Sequence, residues 1–347
     1  MHDPRSIKLP AMPGRFVLDR LPAFIIVGLL ALVPPVCLAL EDPFFIRVFM
    51  RAINLGIAAA ALNLILGFGG LVSLMHAAFM GIAGYVVGVL AHHELNGDAL
   101  NIAGLSIPGT GNLLVSIPLA LVVVAVLSLV TGAICVRTKG IYFIMITLAF
   151  NQMLYYLAVA AEPYGGQDGL QLLSDLHFGG VPLPAQVGFF YICLAALVVV
   201  LVLLDLIVKS RFGMVLIALR QNETRAAALG VNAYPYQLAA FVISGVLAGL
   251  GGALFAVGQK FVSPADLAWL RSGDLAIIAV LGGIAMVWGP ILGAVVWVML
   301  ELVFSAWTIH WLLLIGVFII LVTLFLNEGL AELWKRLIFA IGRRNRG

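Results

Sequence analysis

Long apolar runs, separated by short polar stretches, make up most of the chain. A run of ~20 residues is long enough to cross the ~30 Å hydrocarbon core of a bilayer as a helix. Such runs occupy residues 21–40, 44–67, 71–91, 113–136, 140–161, 187–208, 236–258, 289–305 and 311–326, and a shorter interrupted run occupies 275–287. The pattern predicts an all-α integral membrane protein. It forms a single transmembrane domain over residues 1–347, with about nine membrane passages including a broken or re-entrant segment.

The composition excludes a soluble globular protein. Hydrophobic residues make up 63% of the chain and charged residues 10%, and the mean hydropathy is +1.15, whereas soluble domains carry roughly 25% charged residues. The net charge of +3 is too small to suggest nucleic-acid binding. Cys37, Cys135 and Cys193 lie in different apolar runs, without the spacing of a metal site or a disulfide framework. The first apolar run is too long for a signal peptide, so we predict an uncleaved span.

The positions of Lys and Arg predict which loops are cytoplasmic, because cytoplasmic loops of membrane proteins are enriched in these residues. Clusters of Lys and Arg occur in residues 1–20, 137–139, 209–225 and 335–346. The loops 92–112 and 162–186 contain neither Lys nor Arg. We therefore predict a cytoplasmic lead (1–20), a cytoplasmic loop (209–235) and a cytoplasmic tail (327–347), so that both termini are cytoplasmic. Arg47 and Arg51 disagree with this rule, since they fall near the outer end of the second span.

The interior loop 209–235 is the longest interior stretch suited to water. Its charged residues are Lys209, Arg211, Arg220, Glu223 and Arg225. Strong helix formers predict a helix around residues 220–229, with Gly230 and Pro235 ending it. Two interpretations stay open on spacing alone: an amphipathic helix that binds a cytoplasmic partner, or a connector whose charges follow the positive-inside rule.

Two glycine pairs predict interruptions of the spans. Residues 69–81 read GGLVSLMHAAFMG and residues 282–294 read GGIAMVWGPILGA. Both have a Gly-Gly pair, then five residues, then a second break-like position at His76 or Gly289. Short Gly/Pro-interrupted segments are a pointer to a transport pathway or gate.

Polar residues inside the spans are candidates for a substrate pathway. Thr147, Asn151 and Tyr155 are spaced i, i+4 and i+8, so they lie on one helix face. This face either lines a pathway for a zwitterion or joins helices at ~0.6 kcal/mol per contact. His76 either bonds backbone carbonyls freed by the break or faces the pathway. Glu301 is an acid deep in an apolar run, and such a residue is a functional candidate by default.

Five ordered blocks carry a resemblance to a known family. They read GLVSLMHAAFMGIAGYVVG, VRTKGIYFIMITLAFNQ, GGQDGL, ALRQNETRAAALGVNAYPYQLAAFVISGVLAGLGGALFA and GGIAMVWGPILGA. Together they resemble the LivM-type permease of branched-chain amino acid ABC importers, over about two-thirds of the chain. The chain departs from the family pattern at Met75 and Tyr164.

The resemblance implies a heteromeric importer in the bacterial inner membrane. The expected partners are two cytoplasmic ATPase subunits, a second related permease subunit, a periplasmic substrate-binding protein and membrane lipid, with no nucleic acid. Loop 209–235 resembles the EAA-type coupling loop of such permeases. The residues expected to serve ATPase coupling are Arg220, Asn222, Glu223, Ala226, Ala227 and Gly230.

Single sequence features argue for or against the remaining classes of function. No Gly-Lys dipeptide occurs, so the chain has no GxxxxGK[ST] phosphate loop. ATP hydrolysis is therefore expected in partner subunits. A urea or amide importer permease stays an alternative, as does an ion-coupled secondary transporter based on Glu301. An enzyme is not predicted, since the cluster His92-His93-Glu94 does not converge on a helix. No catalytic residue, cofactor or metal is predicted.

Overall fold

The computed structural model describes residues 15–102, 105–173, 176–182, 186–284, 286–325 and 329–331. Most of the predicted cytoplasmic lead and tail lies outside these residues. The helices are α1 Arg15–Ala39, α2 Phe44–Asn63, α3 His76–Asn96, α4 Leu113–Cys135, α5 Ile141–Ala160, α6 Gln186–Lys209, α7 Arg211–Gln221, α8 Glu223–Ala228, α9 Ala233–Gln259, α10 Trp269–Gly282, α11 Gly289–Trp307 and α12 Trp311–Phe325. A π-helical turn, Leu64–Phe68, continues α2. Short 3₁₀ turns lie at Glu162–Tyr164 and Pro264–Leu267.

Within the described ranges, eight helices are long and apolar enough to cross a membrane: α1 to α6, α9 and α11. Helix α12 is a shorter apolar helix, and α10 has 14 residues. The predicted all-α membrane fold is therefore confirmed, with the passage count approximate.

The strands are short and lie in the connections between helices. They are β1 Ala99–Ile102, β2 Leu105–Pro108, β3 Leu170–Gln171, β4 His177–Phe178, β5 Val181–Pro182 and β6 Phe261–Val262. They form three antiparallel pairs, β1 with β2, β3 with β6 and β4 with β5. The sequence pattern did not predict these strands, because each strand is too short to show the alternation of apolar and polar residues that is typical of a β-strand.

Helices α2, α3 and α9 form the centre of the bundle, and α11 packs against α2. Small residues allow membrane helices to approach closely, and the central contacts depend on them. A Cβ at Gly252 of α9 would overlap the main chain of Met80 in α3. A Cβ at Gly251 would lie 2.9 Å from the carbonyl oxygen of Asn54 in α2.

The loops at the two ends of the bundle differ in Lys and Arg, which occur in residues 137–139 and 209–225 and are lacking in loops 92–112 and 162–186. At one end, Lys139 between α4 and α5 forms a 2.8 Å ion pair with Glu223 of α8. Asp205 and Lys209 at the end of α6 form an i, i+4 ion pair at 2.5 Å. We call this the basic end. At the opposite end, β3 pairs with β6, and Tyr164 lies 3.1 Å from the imidazole of His93.

Three of the differences from the sequence predictions bear on the site. The third span begins at His76 rather than at residue 71, because residues 69–75 are not helical. Gly70 within this stretch has a φ of +72°. The segment predicted at 275–287 is α10, which begins six residues earlier, at Trp269. The single helix predicted around 220–229 is two helices, because Asn222 has extended backbone and caps α8.

Candidate functional site

The predicted breaks both occur where the glycine pairs place them. We call residues 69–75 the first break and residues 283–288 the second break; residue 285 lies outside the described part of the chain. The first break follows the π-helical turn, and α3 begins at His76. The second break follows α10, and α11 begins at Gly289. The internal similarity in sequence thus corresponds to a shared helix–Gly-Gly–break–helix arrangement.

The start of α3 is buried, and its backbone N–H groups have no partner within their own helix turn. Side chains from distant segments accept their hydrogen bonds. The Ala77 N–H donates to the Ser272 hydroxyl of α10 at 2.9 Å. The Ala78 N–H donates to Oδ1 of Asn151 in α5 at 3.1 Å. We call this set of contacts the polar cap of α3.

Asn151 and Thr147 of α5 extend the polar cap. The Asn151 amide donates to the carbonyl oxygen of Leu267 at 2.8 Å, so this side chain joins α5, α3 and the segment before α10. The Thr147 hydroxyl accepts from the Leu74 N–H at 3.3 Å. Both side chains are buried. Their contacts agree with a role in joining helices, and each side chain has protein hydrogen-bond partners in this conformation.

His76 is fully buried and lies between two serines. Its Nε2 is 2.7 Å from the Ser244 hydroxyl of α9, and its Nδ1 is 3.3 Å from the Ser73 hydroxyl. Ser244 donates to the carbonyl oxygen of Ala61 in α2. Because the Ser244 hydroxyl proton is used in this bond to Ala61, Nε2 of His76 is the donor to Ser244, and Nδ1 accepts from Ser73. His76 is therefore linked to the Ala61 carbonyl of α2 indirectly, through Ser244.

Tyr155 stands apart from the other predicted pathway residues. It lies one helical turn beyond Asn151 on α5 and is half-buried. Its ring packs edge-on against Tyr156, with the centroids 5.2 Å apart. The structure thus brings His76, Thr147 and Asn151 to one site around the start of α3, and it places Tyr155 beside that site.

The second break is held differently. Gly282 and Gly289 approach so closely that a Cβ at Gly282 would overlap the main chain of Gly289. The Asn63 amide of α2 donates to the carbonyl oxygen of Met286 at 2.8 Å. The first residue of α11 has no side-chain cap from Trp288. The second break is therefore stabilised by close main-chain packing and one side-chain amide, whereas the first break is stabilised by polar side chains.

Two sets of ion pairs lie on the helices around the second break, and together we call them the charged group. Nη2 of Arg51 in α2 lies 2.8 and 2.9 Å from the carboxylate oxygens of Glu301 in α11. Their side chains are 26% and 19% exposed. Arg271 of α10 lies 3.3 Å from Asp266 and 3.7 Å from Asp274. The sequence interpretation of Glu301 as a lone acid is corrected, since its partner is 250 positions away and only folding brings the two together.

The residues 209–235, which we call the coupling segment, contain both α7 and α8. Of the six residues expected to serve coupling, four have side chains that are bonded or buried within the chain. Arg220 donates to the Gly67 carbonyl, and Asn222 accepts from the Arg225 N–H at 2.9 Å. Glu223 pairs with Lys139, and Ala226 is buried.

Ala227 and Gly230 are exposed, and Gly230 has a φ of +85° just past the end of α8. Between them, Leu229 is 80% exposed. The sequence analysis did not single out this leucine, although an apolar residue next to a helix-ending glycine in a polar loop was the signal. The exposed residues at the end of α8 are therefore small or apolar.

The described residues contain no group of three or more His, Cys, Asp or Glu side chains that could hold a metal ion. His76 lies beside the Ser244 hydroxyl, but Ser244 donates its proton to the Ala61 carbonyl rather than to His76, so this pair is not arranged as a nucleophile with its base. The chemistry of the polar cap and the charged group is hydrogen bonding and ion pairing between helices.

Comparison with known proteins gives a family match over most of the chain. Residues 44–323 match the family model described as branched-chain amino acid transport system / permease component. The chain is 27% identical to the high-affinity branched-chain amino acid transport system permease protein LivM of Escherichia coli K12, over 94% of this chain and 78% of that protein. It is 26% identical to LivM of Salmonella typhimurium LT2, over 80% of this chain and 68% of that protein.

A further relative carries a different description. The nucleoside ABC transporter permease protein NupC of Lactococcus lactis is 28% identical over 41% of this chain and 44% of that protein. No solved structure matches the chain.

Proposed function

The chain belongs to the LivM-type family of branched-chain amino acid transport permeases, and from this we propose that it is the permease subunit of an ATP-driven importer that takes up branched-chain amino acids. The observation that carries the proposal is the family match over residues 44–323. The proposed complex contains two cytoplasmic ATPase subunits and a second related permease. A periplasmic binding protein delivers the substrate.

The proposed orientation places the basic end in the cytoplasm, together with the N- and C-termini. The positive-inside rule supports this assignment, since Lys139 and the coupling segment lie at that end. The end that carries β1 to β6 then faces the periplasm. The loops there lack Lys and Arg at 92–112 and 162–186.

The proposed ATPase contact is the exposed end of α8 in the coupling segment. Ala227, Leu229 and Gly230 supply its surface. Small residues permit close approach of a partner, and one exposed leucine supplies apolar area to bury. Glu223 and Arg220 support this surface from behind by holding α8 and α7 to the rest of the chain.

The proposed translocation route passes the start of α3. His76, Thr147 and Asn151 hold that start closed, and Tyr155 lies beside it. In this proposal the polar cap opens during transport and offers hydrogen bonds to a zwitterion without a trapping charge. Transport then depends on the cap even though its groups are paired in the conformation described.

The alternatives differ in what supports them. The alternative of a gradient-driven carrier rested on Glu301 as a lone intramembrane acid, and its pairing with Arg51 weakens that alternative. A different substrate is supported by the name of the nucleoside permease among the relatives. A urea or amide substrate has no support beyond the residues already discussed.

Copurification from a native membrane tests the composition of the complex. The proposal expects two ATPase subunits and a second permease to be retained and identified by mass.

Ala227→Trp should release the ATPases or uncouple hydrolysis from transport, because a bulky side chain would overlap a closely packed partner. Met214→Trp, at an exposed position on α7, is the matched control and should retain them. Retention and coupled hydrolysis in Ala227→Trp would make the coupling segment only a connector.

A further inference from the structure

Arg220 lies at the junction between the coupling segment and the first break. Its guanidinium donates to the carbonyl oxygen of Gly67, in the π-helical turn that ends α2. The last carbonyls of a helix lack partners within the helix, and a cation there also interacts favourably with the helix dipole. Arg220 therefore caps the helix that leads into the first break, although it belongs to a segment 153 positions away.

The contact extends along one face of α7. Leu216, one turn before Arg220, is fully buried. A Cβ at Gly69 would lie 3.4 Å from its Cδ1. A Cβ at Gly70 would lie 2.8 Å from Cγ of Arg220. Gly70 also has a φ of +72°, so glycine is required there both by the backbone and by the side chain above it.

The same arginine is next to the start of α8. Asn222 follows it by two residues, and its N–H bonds the Ala218 carbonyl of α7 at 3.1 Å while its side chain caps α8. The junction between α7 and α8 is thus held by main-chain and side-chain bonds. These bonds and the Arg220–Gly67 contact form a continuous path from α8 through α7 to the residues that precede the first break.

The first break leads directly to the polar cap. Ser73 within it contacts His76, which contacts Ser244. We propose that Arg220 is a positioning residue that transmits movement of the coupling segment to the first break, and hence to the start of α3. It acts through its bond to Gly67 and its packing on Gly70, rather than by touching an ATPase subunit. This inference rests on the proposed function, because it presupposes a partner that moves α8.

Alternatively, Arg220 only caps α2 and has no part in transport. The two possibilities predict different coupling of substrate uptake to ATP hydrolysis, rather than different stability. Arg220→Met keeps the length of the side chain and removes the donor. We expect the complex to retain its ATPase subunits and hydrolyse ATP, while substrate uptake per ATP falls about tenfold, since a charged hydrogen bond is lost. Arg220→Lys keeps a donor and should recover part of the coupling. Gly70→Ala should reproduce the defect from the other side of the contact.

Arg211→Met is the matched control, because Arg211 is an exposed residue of the same helix, and it should leave uptake per ATP unchanged. Parent-like coupling in Arg220→Met would overturn the inference. Loss of the ATPase subunits from that variant would also overturn it, since Arg220 would then be a docking residue. Absence of ATP-driven uptake in the parent complex would instead refute the proposed function.

A second measurement covers the case in which Arg220→Met does not assemble. Spin labels at Val72 and Gln221, both exposed, report the distance across the contact in an otherwise parent complex. The inference predicts the same distance with and without bound nucleotide, because the two segments move together. A distance that changes with nucleotide would overturn it.

Discussion

The two breaks have the same pattern in sequence but are stabilised by different interactions. At the first break, side chains from α5, α9 and α10 bind the start of α3 and His76. At the second break, Gly282 and Gly289 bring the main chain of α10 against the start of α11. Neither new helix has a hydrogen bond from the side chain of its own N-cap residue. Both must therefore be held by tertiary contacts.

The difference has a physical consequence. A polar cap can exchange its hydrogen bonds for others at small net cost, because each contributes only about 0.6 kcal/mol in a membrane. Close main-chain packing cannot be exchanged in this way, because separating the two main-chain segments loses their contact and puts nothing in its place. We infer that the first break is suited to movement and the second to rigidity. The link from Arg220 to the first break agrees with this division.

The largest effect is expected from crowding the second break. Gly282→Ala would place a Cβ over the main chain of Gly289 and 2.9 Å from the Pro290 nitrogen. Overpacking typically costs about 1–3 kcal/mol, and more where main chain must move. We expect a lower melting temperature and loss of the assembled complex, measured by thermal denaturation in detergent and by gel filtration.

Gly273→Ala is the control for crowding, since it lies on the same helix with nothing within 4 Å of an added Cβ. Alanine there should be neutral or stabilising by up to about 1 kcal/mol. Equal behaviour of the two variants would show that the second break is not rigidly packed.

A smaller effect on stability, with a large effect on transport, is expected at the first break. Asn151→Leu removes the acceptor for Ala78 and the donor to Leu267. Unsatisfied buried groups cost about 1–3 kcal/mol each in soluble proteins, and less where partners rearrange. The complex should assemble but transport poorly, as measured by uptake alongside subunit retention. Gln152→Leu, the neighbouring amide on another face of α5, should transport like the parent. Failure of Asn151→Leu to assemble at all would favour a purely structural cap.

The smallest effect is expected from the amide at the second break. Asn63→Ala removes the hydrogen bond to Met286 and leaves the contact between Gly282 and Gly289 in place. We expect a loss of about 1 kcal/mol and nearly normal transport, measured by the same denaturation and uptake assays. A defect as large as that of Gly282→Ala would remove the distinction between the two breaks.

The sequence predicted the features that depend on local composition. The spans followed from apolar length, and both breaks followed from their glycine pairs. The start of α3 was placed too early because residues 71–75 include Leu, Val, Leu and Met, whose apolar character resembles that of a span. The break at Asn222 was missed because the strong helix formers around it outweighed its preference for a cap.

Features that depend on distant partners were not predictable. Arg51 conflicted with the positive-inside rule and Glu301 had no partner in sequence, and the ion pair between them explains both. Thr147 and Asn151 were identified by their spacing, but their partners at Leu74 and Leu267 come from segments 73 and 116 positions away. Hydropathy carries no information on such pairs, because they are fixed by tertiary packing.

The most direct test of the account is the energy source for uptake. The chain alone, and the complex copurified with it, would be reconstituted in vesicles and given labelled leucine. The account predicts uptake only by the complex, with binding protein outside and ATP on the side of the coupling segment, and none by the chain alone under a proton or sodium gradient. Robust gradient-driven uptake by the chain alone, abolished by Glu301→Gln, would contradict it.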